Sequence, residues 1–266
     1  MCGRFALTVP LTAVIEWFGA CAAMGQDNAL KDLDRPRHNI RPTETIWMIR
    51  RAEGQSEGQR ESEAGGAGEN GGAGGREIAA VRWGFLPVWY KKPNDGPLLI
   101  NARGETVAEK PAFREACRET RCLIPADGFY EWKASAGPGK APYWIHPGAG
   151  DRVAFAGVWR RWTGPDGAEL DTVAIVTCAA EGPLADLHHR LPVRIAEPDF
   201  GLWLGEEGGG AARLMRAPDP AFWAFHPVST AINRGGRAAP DGPELREPTE
   251  EGASPEPAGP TQQSLF

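Results

Sequence analysis

No stretch of this 266-residue sequence is apolar for long enough to span a bilayer. It also lacks the charged segment and short apolar run of a secretory leader. Cysteine is scarce: Cys2, Cys21, Cys117, Cys122 and Cys178 are an odd, scattered set. Cys117 and Cys122 are spaced C-x-x-x-x-C, but no histidine or second pair stands beside them, so no metal site and no disulfide framework are expected. A reducing cytoplasm is the natural setting, with no membrane contact. No internal repeat is visible.

An overall excess of positive charge is missing too, since the formal charge is −6. That charge is concentrated in two segments. Ala52 to Glu77 holds six glutamates and two arginines, and Gly235 to Phe266 holds six acidic residues and two arginines. Without them the body carries roughly +2, which is compatible with phosphate contacts.

What is present is a hydrophobic content of 41%, enough for a proper core in one large domain or two small ones. The Gly/Glu/Ser-rich run at 52–77 cannot bury enough apolar area to order itself. It is expected as a flexible insertion joining two strands, IWMIR before it and IAAVRWGFL after it. Residues 235–266 are expected as a disordered acidic tail. Between them, RCLIPADGFYEW, PYWIHP, RVAFAGVWRRW and DTVAIVTCA are β-branched and aromatic runs broken by turn residues. Helices are expected at LTAVIEWFG, capped by Thr8 or Thr12, at TVAEKPAFREACR, interrupted or delayed by Pro111, and at EPDFGLWL. The pattern predicts a single α+β domain built on a strongly curved, mostly antiparallel sheet or barrel with peripheral helices.

Polar groups concentrate in four stretches. MCGRF places Cys2 directly behind the initiator methionine, with Arg4 close by. Removal of Met1 would leave a free α-amine and a thiol on one residue; the bland alternative is a small buried hydrophobe. INARGETVAEKPAFR holds Asn101, Arg103 and Glu105, which share one face if the stretch stays extended. IPADGFYEWK sets Glu131 between Tyr130 and Trp132, where burial suits proton transfer. LADLHHRLPV carries His188, His189 and Arg190; on a strand, only one of the histidines could face a site. In RWGFLPVWYKK, Trp83, Phe85, Trp89 and Tyr90 stand beside Arg82, Lys91 and Lys92. Single-stranded nucleic acid needs such stacking platforms flanked by cations, although core aromatics with solvated lysines fit equally well.

Taken in order, MCGRF, HNIRPT, VRWGFLPVW, INARGETVAEKPAFR, RCLIPADGFYEWK, FAGVWRRW, LHHRLPV and HPVSTAIN resemble the SOS response-associated peptidase (SRAP) family across residues 2–234. The resemblance implies an SRAP-like catalytic domain that senses abasic sites in single-stranded DNA and couples to them covalently through Cys2. It implies Asn101, Glu131 and His188 as catalytic partners, with His189 as the variable position of the H-x-R-M-P motif. Leu191 replaces the methionine, a nearly volume-conserving change. Arg4, Asn39, Pro42, Trp83 and Arg103 are expected to contact DNA, with Trp83 wedged against a base. No cofactor is expected, and a monomer with a cytoplasmic, nucleoid-associated location is expected.

The chemistry fits an N-terminal cysteine. An α-amine has a pKa of roughly 7.7–8.0 against about 10.4 for lysine, so far more of it is neutral at pH 7. Two other readings stay open: a cysteine peptidase or N-terminal-nucleophile hydrolase using Cys2, His188 and Asn101, and a non-covalent DNA binder in which Cys2 is incidental. The last residues, QQSLF, resemble the short peptide by which bacterial proteins dock on the replicative sliding clamp, with Gln262, Leu265 and Phe266 as its anchors.

Overall fold

The computed structural model describes residues 2–52, 75–134, 139–148, 152–236 and 239–250. The first half of the chain forms β1 (Phe5–Leu7), α1 (Leu11–Phe18), β2 (Ala20–Ala22), α2 (Asp27–Asp32), β3 (Arg37–Ile40), β4 (Thr45–Arg51), β5 (Arg76–Trp83) and β6 (Asn101–Arg103). There follow α3 (Arg114–Glu119), β7 (Arg121–Ala126), β8 (Gly128–Ala134), β9 (Lys140–Pro147), β10 (Val153–Thr163) and β11 (Glu169–Ala179). The last are β12 (Arg190–Pro192), β13 (Arg194–Ile195), α4 (Phe200–Leu204) and β14 (Trp223–Pro227).

Strands β4, β7, β10 and β11 pair in that order, all antiparallel. β5 pairs antiparallel with β4 and parallel with β11, which closes a five-stranded barrel. The expected insertion leaves this barrel between β4 and β5, whose ends meet at Arg51 and Arg76; residues 53–74 lie outside the described residues. A second, antiparallel sheet runs β14-β9-β8-β1-β3. The two share one core: Phe155 of β10 meets Phe5 of β1 and Phe129 of β8 edge-on, at centroid distances of 6.3 and 5.9 Å. Burial on both faces explains why β11 reads as a nearly unbroken apolar run. A Cβ on Gly157 would sit 2.7 Å from Cys122 Sγ and 3.1 Å from Ile124 Cδ1, so only glycine lets β10 and β7 close here. The single α+β domain is therefore as the sequence predicted.

The helices are peripheral. α1 starts behind Pro10 without a side-chain cap, because Thr8 instead donates its hydroxyl to Asp127 Oδ2 at 2.7 Å. α1 and α4 stack through Phe18 and Phe200, 4.8 Å between centroids. α3 begins only at Arg114, three residues beyond Pro111.

The tail is a correction. Disorder was expected from residue 235, yet residues 239–250 pack along the second sheet. Leu245 is fully buried in a cluster with Tyr130 and Trp144. The Asp241 carboxylate accepts from the backbone N–H groups of His38 and Asn39 at 2.6 and 2.8 Å, and Arg246 donates to Asp127 at 3.0 Å. One apolar anchor and two charged clamps hold a segment whose average composition is that of a coil. Residues 251–266, with Gln262, Leu265 and Phe266, lie outside the described residues. Among the described residues no helix is long and apolar enough to cross a membrane.

Candidate active site at the start of the chain

Cys2 lies immediately before β1, which is wedged between β8 and β3 in the second sheet. That position carries an N-terminal residue, ordinarily frayed, into the core: Cys2 is fully buried. Three further elements converge on it. From β6 on the barrel rim, the Asn101 side-chain amide donates to the Cys2 carbonyl at 2.8 Å. From β8 comes Glu131, 3% exposed. From the turn before β12 comes His188, whose Nδ1 lies 3.6 Å from Glu131 Oε1, 3.0 Å from the Arg190 carbonyl and 3.1 Å from the Arg190 backbone nitrogen. The Cys2, Asn101, Glu131 and His188 predicted from sequence are thus brought together, although 186 positions separate the first from the last.

Burial pushes the Cys2 thiol far above its ordinary range, and the Glu131 carboxylate pushes it further. The positive amino terminus and hydrogen bonding from the Arg4 backbone pull it partly back. Asn101 Oδ1 is buried without a hydrogen-bond partner among the described residues, leaving an acceptor beside the Cys2 backbone.

Arg190 organises the histidine turn. Its guanidinium forks onto Glu105 at 2.7 and 2.8 Å and donates to the Thr177 carbonyl at 2.6 Å. The fork holds the Glu105 carboxyl down at about 2. The expected shared face of Asn101, Arg103 and Glu105 therefore breaks off after Arg103, where β6 ends and Glu105 turns to Arg190. Because His188 and His189 sit on a turn and not on a strand, their rings lie together, 4.4 Å between centroids. The proximity of His188 lowers the pKa of His189.

The expected DNA contacts divide into two groups. Arg103 is exposed and Pro42 half-exposed, and both remain available at the surface. Arg4 is half-buried, donating to Asn39 Oδ1 at 2.7 Å and to the Ile232 carbonyl at 2.9 Å. Asn39 is buried and donates to the Pro240 carbonyl, so it supports Arg4 from behind. Trp83 is fully enclosed, its indole N–H donating to the Ile100 carbonyl at 3.0 Å, and it presents no face to a base. The exposed ring of this stretch is Trp89, at 53%, next to the exposed Val88. Its loop is braced by Tyr90, whose hydroxyl donates to the Pro97 carbonyl and whose own carbonyl accepts from Trp162. Sequence placed both tryptophans in one aromatic-basic stretch, and only the strand end at Trp83 separates their fates. Among the described residues no group of His, Cys, Asp and Glu is placed to hold a metal ion.

Comparison with known proteins places the chain in a family. The chain is 34% identical over 245 residues to the abasic site processing protein YoqW of Bacillus subtilis, covering 91% of this chain and 98% of that protein. It is 32% identical over 184 residues to the abasic site processing protein HMCES of Gallus gallus, covering 59% and 54%. A protein from Bacteroides thetaiotaomicron shares the fold with a TM-score of 0.75 at 19% identity, over 93% of this chain and all of that one. A phage-related protein from Bordetella bronchiseptica superposes with a TM-score of 0.61 at 27% identity, over 85% and 94%. The family model described as SOS response associated peptidase (SRAP) matches residues 1–235, and the chain belongs to that family.

Proposed function

We propose that this protein captures abasic sites in single-stranded DNA as a thiazolidine crosslink on Cys2, after Met1 has been removed. The observation that carries the reading is the convergence of Asn101, Glu131 and His188 on a buried Cys2. The α-amine adds to the ring-opened aldehyde of the lesion, and the carbinolamine loses water to give an imine. The Cys2 S–H then adds across the imine carbon, its proton passing to nitrogen, and a five-membered ring closes at the high effective concentration of a group on the same residue. One water leaves per lesion captured. In this order the amine attacks first and sulfur closes the ring.

Glu131 and His188 move the protons of imine formation and sugar ring opening, and Glu131 also serves Met1 removal. Asn101, with one side-chain atom on the Cys2 carbonyl and its other left open, orients the amine. Arg4 and Arg103 hold flanking phosphates. Trp89 takes the stacking role that the buried Trp83 cannot fill. The terminal QQSLF is assigned to the sliding clamp; deleting Gln262–Phe266 is expected to abolish clamp binding and leave DNA coupling intact.

The test is a denaturing gel of the protein with single-stranded DNA carrying one abasic site, beside Cys2→Ala and an aldehyde-free analogue. Mass spectrometry checks Met1 loss in the same samples. A heat-stable shifted band that requires both Cys2 and the aldehyde is expected. Equal retention by wild type and Cys2→Ala would make the protein a non-covalent binder.

A further inference from the structure

A second group of basic side chains lines a cavity that includes neither Cys2 nor its partners. This cavity, of about 730 Å³, is bounded by α3, the end of β4, the start of β7 and the loop after α4. Four arginines line it, Arg51, Arg114, Arg118 and Arg121, against a single carboxylate, Glu119. Arg121 is committed to the structure, donating to the Cys117 and Arg118 carbonyls at 2.8 and 2.9 Å. Arg51 reaches the Gly205 carbonyl at 3.5 Å. Arg114 and Arg118 are different: both are exposed, and neither guanidinium bonds to another described residue. They stand four apart on α3, where like charges are neighbours and repel. Nothing in the fold requires that juxtaposition, and an anion between them would relieve it.

The lining also includes Gly208, Gly209 and Gly210. Gly208 and Gly210 have φ of +86° and +106°, and a Cβ at any of the three would meet nothing within 4 Å. Their amides make no backbone hydrogen bond among the described residues. A loop with bare, unspent N–H groups in one cavity with a pair of guanidinium forks is the chemistry that phosphate oxygens select. The volume lies in the range of organic-ligand sites and is too large for one phosphate ion. The cavity also reaches the segment that follows β6. Its lining residue Met215 is in contact with Gly104, a Cβ there falling 3.2 Å from Met215 Cβ, and Gly104 directly follows Arg103.

We propose that this cavity is a second phosphate site, which holds the backbone of the nucleic-acid strand as it runs on from Arg103. The assignment to a strand rests on the DNA reading above, but it does not need the covalent step. The strand alternative is a free phosphorylated anion, which the same groups would bind.

The experiment uses the full chain and oligothymidylates of increasing length without any abasic site, so that failure of Cys2 chemistry leaves it readable. Arg114→Gln with Arg118→Gln keeps good helix formers on α3. Wild type is expected to gain affinity with length beyond the point at which the double variant stops. The variant's log–log salt dependence is expected to be shallower by about 1.4, the value for two single-strand phosphate contacts. Gly209→Glu, at an open position of ordinary φ, puts a carboxylate into the cavity and is expected to give the same loss without touching α3. Coupling to abasic DNA at saturating concentration is expected to be unchanged in both variants. Equal affinity and equal salt slope for wild type and both variants would overturn the proposal. Arginine-dependent binding of pyrophosphate or thymidine monophosphate, with no effect of oligonucleotide length, would overturn the strand assignment.

Discussion

The Asn101 side-chain amide donates to the Cys2 carbonyl at 2.8 Å, joining two residues 99 positions apart. The bond ties the start of the chain to the barrel rim through β6, which is itself held by β11. On the proposed mechanism the Cys2 amine needs a fixed position, and this contact fixes the Cys2 carbonyl beside it.

Asn101→Ala is therefore expected to slow coupling to abasic DNA about tenfold, equivalent to roughly 1.4 kcal/mol, with little change in DNA affinity. Single-turnover gels give the rate and fluorescence anisotropy the affinity. An unchanged rate would remove Asn101 from the mechanism.

Glu131 and His188, 3.6 Å apart, are expected to act as one proton-transfer unit. Glu131→Gln should lower the coupling rate by about 10²–10⁴. Adding His188→Asn should cost little more, because a unit already broken cannot be broken twice. Fully multiplicative losses in the double variant would show that the two residues work independently.

The two tryptophans separate stability from binding. Trp83→Ala empties a fully buried site and is expected to cost about 3–5 kcal/mol in chemical denaturation. Trp89→Ala is expected to leave stability within about 0.5 kcal/mol and to weaken single-stranded DNA binding by about 1–3 kcal/mol. Unaltered DNA affinity in Trp89→Ala would deny that ring a stacking role.

The Glu105–Arg190 fork predicts a pH dependence with a definite sign. The folded carboxyl titrates at about 2 against an ordinary 4.5, so the pair's stability is fully present above the ordinary value. It is lost as the pH falls toward the folded value. With the Glu105 side chain 49% exposed, solvent screening reduces the effect, and Glu105→Gln is expected to cost about 1 kcal/mol at neutral pH. In urea titrations the gap between wild type and variant should narrow between those two pH values. A gap that widens on acidification would reverse the assignment.

Leu245→Ala tests the segment at residues 239–250. Complete burial against Tyr130 and Trp144 predicts a loss of about 2–5 kcal/mol. A free tail would show no change in the unfolding midpoint.

Cys2, Asn101, Glu131 and His188 were legible in the sequence because each sits in a short motif whose order along the chain is specific. The strands were legible because burial on both faces leaves unbroken apolar runs such as DTVAIVTCA. The position of Pro111 set where α3 could begin, since the ring blocks the preceding helical turn. These are properties of local chemistry, and the order of residues is enough to state them.

Tertiary structure alone decided which of two nearby tryptophans faces solvent, because that depends on where β5 ends and what the barrel covers. It decided that residues 239–250 pack, since one buried leucine and the Asp241 and Arg246 clamps weigh more than average composition. It brought His188 and His189 together on a turn, and it turned Glu105 away from Asn101 toward Arg190. The closure of the barrel by β5 on β11 was likewise invisible, because a parallel pairing between distant strands leaves no local signal. What the sequence carried was the identity of the candidate groups; they stand together because the two sheets fold the chain's first residues against its middle.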